Sequence, residues 1–258
     1  MTNSLTGVAS AAAFLFDMDG TLLDSTPAVL ATWEYFAREY SLDLTEVLKT
    51  SHGVRTIDNM RRWCGLEDPE QLQAATNLFE SMIVAEAQRL QSEGQTGLEI
   101  LPGVQALLDE VKPNHAATNL KVSLLILEQL QSSPTPLWAV VTSATTVYAS
   151  AALPTAGIPQ PPKLITADHV TKGKPHPEPY LTGAKQLGVE AHDCIVVEDA
   201  PSGVKSGVAA GSKVLAVCTS HEREQLEGIG AAWIVNDLSK VQASIVDGRI
   251  HLVIDQSP

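Results

Sequence analysis

Two apolar runs in this chain end in acids, each where the sequence next turns. Ala11 to Phe16 runs into Asp17-Met18-Asp19-Gly20-Thr21, and Ile195 to Val197 runs into Glu198-Asp199-Ala200-Pro201. Short apolar runs closed by turn residues read as buried strands. Carboxylates gathered where a buried strand opens into a loop repel one another, and a metal ion or acid–base chemistry is the usual reason for them. An Asp-Gly turn alone would account for Asp19-Gly20, and acids ahead of Pro201 could simply favour the dipole of a helix starting there. Neither accounts for a strand that itself ends in Asp17, and two such strands in one sheet favour a shared metal site. Lys174 stands between Gly173 and Pro175, a placement that suits a fixed ammonium better than a solvated surface charge. Val140 to Thr142 leads into Ser143-Ala144-Thr145, where hydroxyls suit either a helix cap or a phosphate cradled at a helix N-terminus.

Bringing these groups together requires strands that open on one edge. Further strands are expected at Leu137–Thr142, Lys163–Thr166, Cys194–Val197, Lys213–Val217 and Ala232–Val235, with helical patterns near Thr145–Ala152, Pro179–Leu187, Pro201–Ala210 and Glu222–Leu226. Short apolar strands alternating with helices predict an α/β fold with a doubly wound parallel sheet. Asp247-Gly248, set in alternating residues from Ser244 to Ile254, predicts a hairpin that adds an antiparallel edge. The gap from Asp17 to Leu137 far exceeds the roughly dozen residues a crossover needs, so it must hold a unit of its own. That unit reads as helical: Pro27–Tyr40, Thr56–Cys64, and a stripe of Leu72, Ala75, Phe79, Met82, Ile83, Ala87 and Leu90 after Pro69-Glu70. The expected division is an α/β core of residues 1–25 and 99–258 with a helical insert at 26–98. The connection at 112–136 carries no assigned role.

Bulk composition narrows the function. With 258 residues, 44% of them hydrophobic, the chain can bury a sizeable core. A net charge of −13 disfavours nucleic acid and anionic membranes as partners. Cys64, Cys194 and Cys218 are scattered and odd in number, which fits free thiols in a reducing compartment. No run reaches transmembrane length without charge or proline, and the apolar start lacks the basic residues of a leader. The expectation is a soluble, cytoplasmic monomer. No GxGxxG follows the first strand, so the α/β pattern is not that of a dinucleotide binder.

In their order along the chain, the Asp17, Ser143, Lys174 and Asp199 segments resemble the four motifs of the haloacid-dehalogenase phosphatases, over nearly the whole length. The helical insert is similar to that family's first type of cap domain. Ser51-His52-Gly53-Val54-Arg55-Thr56, the run Gly173 to Tyr180, and Val197 to Pro201 look most like fungal glycerol-phosphate and 2-deoxyglucose-6-phosphate phosphatases. The resemblance implies a Mg²⁺-dependent phosphomonoesterase acting on a small phosphorylated sugar or polyol through an aspartyl-phosphate. It makes Asp17 the nucleophile and Asp19 the acid that protonates the departing alkoxide and then activates water. It gives Mg²⁺ to Asp17, the Asp19 main-chain carbonyl and Asp199; Glu198 is either a further ligand or a support behind Asp199, and the alternation of strand residues favours the support. Ser143 and the Ala144 N–H would hold a phosphoryl oxygen, although relatives commonly carry Gly where Ala144 stands. Lys174 would offset the charge of the phosphate, and a cis Lys174–Pro175 bond is implied. A carboxylate ~4 Å from a phosphate dianion costs roughly 8 kcal/mol at an effective dielectric of 20, which would slow attack about a millionfold if left uncompensated.

Substrate choice is expected to come from the insert. Arg55 is the candidate there, against the alternative of a surface arginine at a helix start. His52 is read as a hinge residue, His176 as a structural hydrogen-bond partner, and Asp24 as equally a local cap. Two rival functions fit the same motifs: a phosphomutase, which would return the phosphoryl group to substrate, and a non-catalytic scaffold that binds phosphorylated metabolites.

Overall fold

The computed structural model describes residues 6–111 and 137–257; the 112–136 connection lies outside them. The central strand β2 (Ala13–Phe16), preceded by β1 (Thr6–Ala11), is buried at all four positions, as a strand between two helical layers must be. Two-residue strands β3 (Leu23–Asp24) and β4 (Glu99–Ile100) follow, then β5 (Trp138–Val141), β6 (Leu164–Ile165), β7 (Cys194–Glu198), β8 (Lys213–Val217) and β9 (Trp233–Val235). The main sheet has the order β6-β5-β2-β7-β8-β9, and every pairing in it is parallel. The chain winds outward from β2 through β5 to β6, then returns to the other side of β2 for β7, β8 and β9. Open α/β sheets hold ligands beyond the carboxyl ends of their strands at such a reversal. Phe16 is in register with Val140 on β5 and Val197 on β7, so Asp17, Val141 and Glu198 emerge side by side at that edge.

The N-terminal apolar run is not one strand. β1 ends at Ala11, a bend at Ala12 intervenes, and β2 begins at Ala13. β1 instead pairs antiparallel with β11 (Arg249–Asp255), which pairs with β10 (Val241–Val246). The hairpin therefore forms, with Asp247 and Gly248 both at positive φ as its turn requires, but it builds a separate three-stranded sheet. The reason lies in β1, where Thr6 and Val8 are exposed while Ala9 and Ala11 are buried. That alternation suits a sheet with one wet face, unlike the wholly buried β2.

Between β3 and β4 stand α1 (Thr26–Tyr40), α2 (Leu44–Ser51), α3 (Thr56–Cys64) and α4 (Pro69–Ser92). β3 and β4 pair antiparallel and so tie together the chain's way into and out of this helical unit. Asp68 caps α4 by accepting from the Glu70 and Gln71 N–H groups. The stripe on α4 faces inward as its spacing predicts: Leu72, Ala75, Phe79, Ile83, Ala87 and Leu90 are buried. Trp33 and Phe36 of α1 meet Phe79 edge-on at 4.6 and 5.2 Å between ring centroids. The sequence reading misses α2, which is too short to display a helical period; Asp43 caps it through the Thr45 and Glu46 N–H groups.

The remaining helices are α5 (Val104–Val111), α6 (Thr146–Thr155), α7 (Glu178–Leu187), α8 (Pro201–Ala209) and α9 (Arg223–Leu226). Among the described residues no helix is long and apolar enough to cross a membrane. The three cysteines are free.

Candidate active site

Asp17 follows the last residue of β2 and is almost wholly buried. Its Oδ1 lies 2.5 Å from Lys174 Nζ, which also donates to Glu198 Oε1 at 2.6 Å and to the Val141 carbonyl at 3.0 Å. Three neighbouring strand ends thus grip one ammonium. Glu198 is fully used: Oε1 also accepts from the Tyr180 hydroxyl at 2.7 Å, and Oε2 accepts the Asp199 and Ala200 N–H groups. A carboxylate offers about four lone-pair sites, so Glu198 is committed to holding Lys174 rather than to a metal. Burial alone would lower the Lys174 ammonium, but Asp17 and Glu198 outweigh it and raise it above the ordinary lysine value. Burial raises the Asp17 carboxyl well above the carboxylate range; Lys174 opposes this, while Glu198 and Asp199 add to it. The Lys174–Pro175 bond is cis.

Asp199, fully buried, takes the Thr21 hydroxyl on Oδ1 at 3.0 Å and meets His52 Nε2 at 2.7 Å and the Ser220 hydroxyl on Oδ2. Asp17, Glu198 and Asp199 each bring an oxygen to within 4.8 Å of the others. With Glu198 held by Lys174, Asp17 and Asp199 remain as hard oxygen donors among four acids, Asp19 included, that face the positive charge of Lys174 and His52, so the site fits Mg²⁺. Gly20 is needed beside it. Its φ is +83°, and a Cβ there would collide with the Asp199 carboxylate.

Asp19 faces the same space. The Tyr148 hydroxyl donates to its Oδ1 at 2.8 Å. Burial raises the Asp19 carboxyl, while hydrogen bonds from Ser25 and Tyr148 lower it in part. An upward shift is the direction that favours a proton donor.

These groups open on a cavity of about 790 Å³, lined from the core by Asp17, Asp19, Ser143 and Ala144 and from the helical unit by Asn59 and Glu80. Ser143 Oγ donates to the Gly53 carbonyl at 3.0 Å, Ser202 Oγ donates to the same oxygen at 3.2 Å, and the Ala144 N–H donates to Thr142 Oγ1 at 3.1 Å. The loop between α2 and α3 therefore rests directly on the sheet edge.

Arg55 is placed otherwise than its expected role requires. It does not line the cavity. Its Nε donates to Asp58 Oδ2 at 2.7 Å, its NH1 donates to the Thr171 carbonyl at 3.1 Å, and its stem covers Gly173. Asp58 lies three residues on along the same helix and captures the guanidinium locally. Asp24 acts as a local cap, accepting the Thr26 N–H at 2.8 Å.

His52, Tyr148, Tyr180 and Ser220 were not singled out for these contacts by sequence. Tyr180 closes the Gly173–Tyr180 string, and Ser220 follows the carboxyl end of β8, a position that could have signalled it. The reach of His52 to Asp199 spans 147 residues and carries no local signal. Burial lowers the His52 imidazole, but Asp199, then Asp17 and Asp19, outweigh it and raise it to about 9.

Residues 11–211 match the sequence model of the haloacid dehalogenase-like hydrolases. The chain belongs to that family. The matched span includes Asp17, Ser143, Lys174, Asp199 and the helical unit. Hexitol phosphatase A of Escherichia coli is 38% identical over 216 residues, covering 84% of this chain and 87% of that one. Glycerol-1-phosphate phosphohydrolase 2 of Saccharomyces cerevisiae is 31% identical, covering 89% and 84%. 2-Deoxyglucose-6-phosphate phosphatase 1 of the same yeast is 31% identical, covering 94% and 93%. Among solved structures, β-phosphoglucomutase from Clostridium difficile superposes with a TM-score of 0.69 at 22% identity, over 90% of this chain and 93% of that one. At that identity the likeness speaks for the haloacid dehalogenase-like fold.

Proposed function

We propose that this chain is a Mg²⁺-dependent phosphatase of small sugar or polyol phosphates. The observation that carries the reading is Asp17: a buried carboxylate at the end of the central strand, clamped by Lys174 and facing a cavity that also holds Asp19. The names of the relatives supply the substrate class. Asp17 attacks phosphorus, forming the Asp17–phosphorus bond as the bond from phosphorus to the substrate oxygen breaks. Asp19 gives its proton to that oxygen, and the alcohol leaves. Asp19, now a carboxylate, takes a proton from water as the water oxygen attacks phosphorus, which returns Asp17 and releases inorganic phosphate. Lys174 offsets the repulsion between the Asp17 carboxylate and the phosphate throughout. The Asp17 and Asp199 side chains and the Asp19 carbonyl would hold Mg²⁺, which supplies positive charge against the phosphoryl oxygens. Ser143 and the Ala144 N–H would exchange their present acceptors for a phosphoryl oxygen.

In this reading residues 26–98 form a cap over a core made of 1–25 and 99–258. The cap excludes water and meets the variable part of the substrate. The free cysteines and acidic charge suit a reducing, cytoplasmic setting. A phosphate-release screen across glycerol, hexitol and deoxyhexose phosphates, with Mg²⁺ and with chelator, tests the whole reading. Release that requires Mg²⁺ is expected. Isomerised substrate without free phosphate, or no turnover of any of these, would overturn it.

A further inference from the structure

We propose that Tyr148 is a positioning residue for Asp19, its hydroxyl holding one carboxyl oxygen so that the other is presented to the substrate. The inference rests on the phosphatase reading and goes beyond it, because Tyr148 belongs to none of the acid-, hydroxyl- or lysine-bearing motifs. Tyr148 lies in the first turn of α6 and is buried, yet it borders the cavity. Its hydroxyl is 2.8 Å from Asp19 Oδ1. Towards that oxygen the hydroxyl is the donor. With Oδ1 occupied by a donor, an acidic proton on Asp19 belongs on Oδ2.

The turn that carries Tyr148 is fixed from both sides of the cavity. Its backbone N–H donates to Thr145 Oγ1 at 3.4 Å. Thr145 in turn donates its N–H to Glu80 Oε1 at 3.2 Å and its hydroxyl to Glu80 Oε2. Glu80 stands on α4 of the helical unit and also accepts from the Thr56 hydroxyl at 2.8 Å. The line Glu80–Thr145–Tyr148–Asp19 thus runs from the helical unit to the acid.

Tyr148→Phe keeps the ring and removes only the hydroxyl. The decisive comparison is kcat/KM on two substrates, glycerol phosphate or a hexitol phosphate against p-nitrophenyl phosphate. This ratio reports steps up to the first irreversible one, in which Asp17 takes the phosphoryl group, the bond from phosphorus to substrate oxygen breaks, and Asp19 Oδ2 passes its proton to that oxygen. An alkoxide needs that proton, whereas p-nitrophenolate leaves without it. The alkyl phosphate is expected to lose about tenfold or more, part of the ~10²–10⁴ that general acid catalysis supplies, while the aryl phosphate changes by less than about threefold. Asp19→Asn should show the same selectivity at larger size. Retained aryl turnover also certifies the fold of the variant. Equal losses on both substrates, or no loss on either, would overturn the role of Tyr148 while leaving the phosphatase reading intact. A wild-type protein that releases no phosphate from either substrate would overturn that reading and this inference with it.

Discussion

At the scale of single residues, the site is a problem in cancelling charge. In the proposed mechanism Asp17 must carry a negative charge to attack, yet burial and two neighbouring carboxylates push against ionisation, with Lys174 opposing them. Asp17→Asn keeps the shape and removes the attacking charge. Phosphate release should fall to background while circular dichroism and the unfolding transition stay native-like. Phosphate release at the wild-type rate would show that another group attacks. The division of labour among the acids follows from their partners. Asp17 and Asp199 were legible as strand-end acids, and so was Lys174 between Gly and Pro. The commitment of Glu198 to Lys174, Tyr180 and two backbone N–H groups was not, because Lys174 and Tyr180 come from a separate part of the chain.

At the scale of elements, two of the contacts that join the helical unit to the core can be tested by substitution. Arg55 ties α3 to the Thr171 carbonyl, three residues before Lys174. Arg55→Ala is therefore expected to lower kcat/KM equally for a polyol phosphate and an aryl phosphate. A loss confined to the polyol substrate would put the guanidinium on the substrate after all. Glu80 is the second contact, nearly buried, with Thr145 and Thr56 as donors. Burial raises its carboxyl above the usual value, and the threonine hydrogen bonds only partly oppose this. A carboxyl with a raised folded-state pKa binds more protons folded than unfolded, so its share of stability falls as pH rises from its unfolded value through its folded one. In Glu80→Gln that loss disappears, and Tm across the same acidic window should fall less with rising pH than in the wild type. Parallel Tm–pH curves for the two proteins would refute this account of Glu80. The helical stripe on α4 announced this element in sequence. α2 and the β3–β4 pair did not, since elements of two to eight residues carry too little periodicity to register.

At the scale of the whole molecule, a buried site with excess negative charge should couple metal binding to folding. A cation that binds only the native state stabilises it by about 2.7 kcal/mol at a hundred times its Kd. Mg²⁺ should therefore raise the Tm of the wild type and of Asp19→Asn, whose main-chain carbonyl survives, but not that of Asp199→Ala. Equal shifts in Asp19→Asn and Asp199→Ala would show that these roles are wrongly divided. By itself the sequence determined the parallel sheet, the helical unit between Asp17 and Leu137, and the placing of Asp17 and Asp199 at strand ends and of Lys174 in a Gly-Pro turn. Each of these is written in local patterns: strand burial, helical spacing, and polar residues at turns. Only tertiary structure decided that β1 leaves the main sheet for the β10–β11 hairpin, that Arg55 turns from the cavity to Asp58 and Thr171, and that Tyr148 meets Asp19. These depend on which elements lie across from one another, 129 residues apart in the case of Tyr148 and Asp19. No local pattern carries that distance, because the partner is supplied by the winding of the sheet around β2.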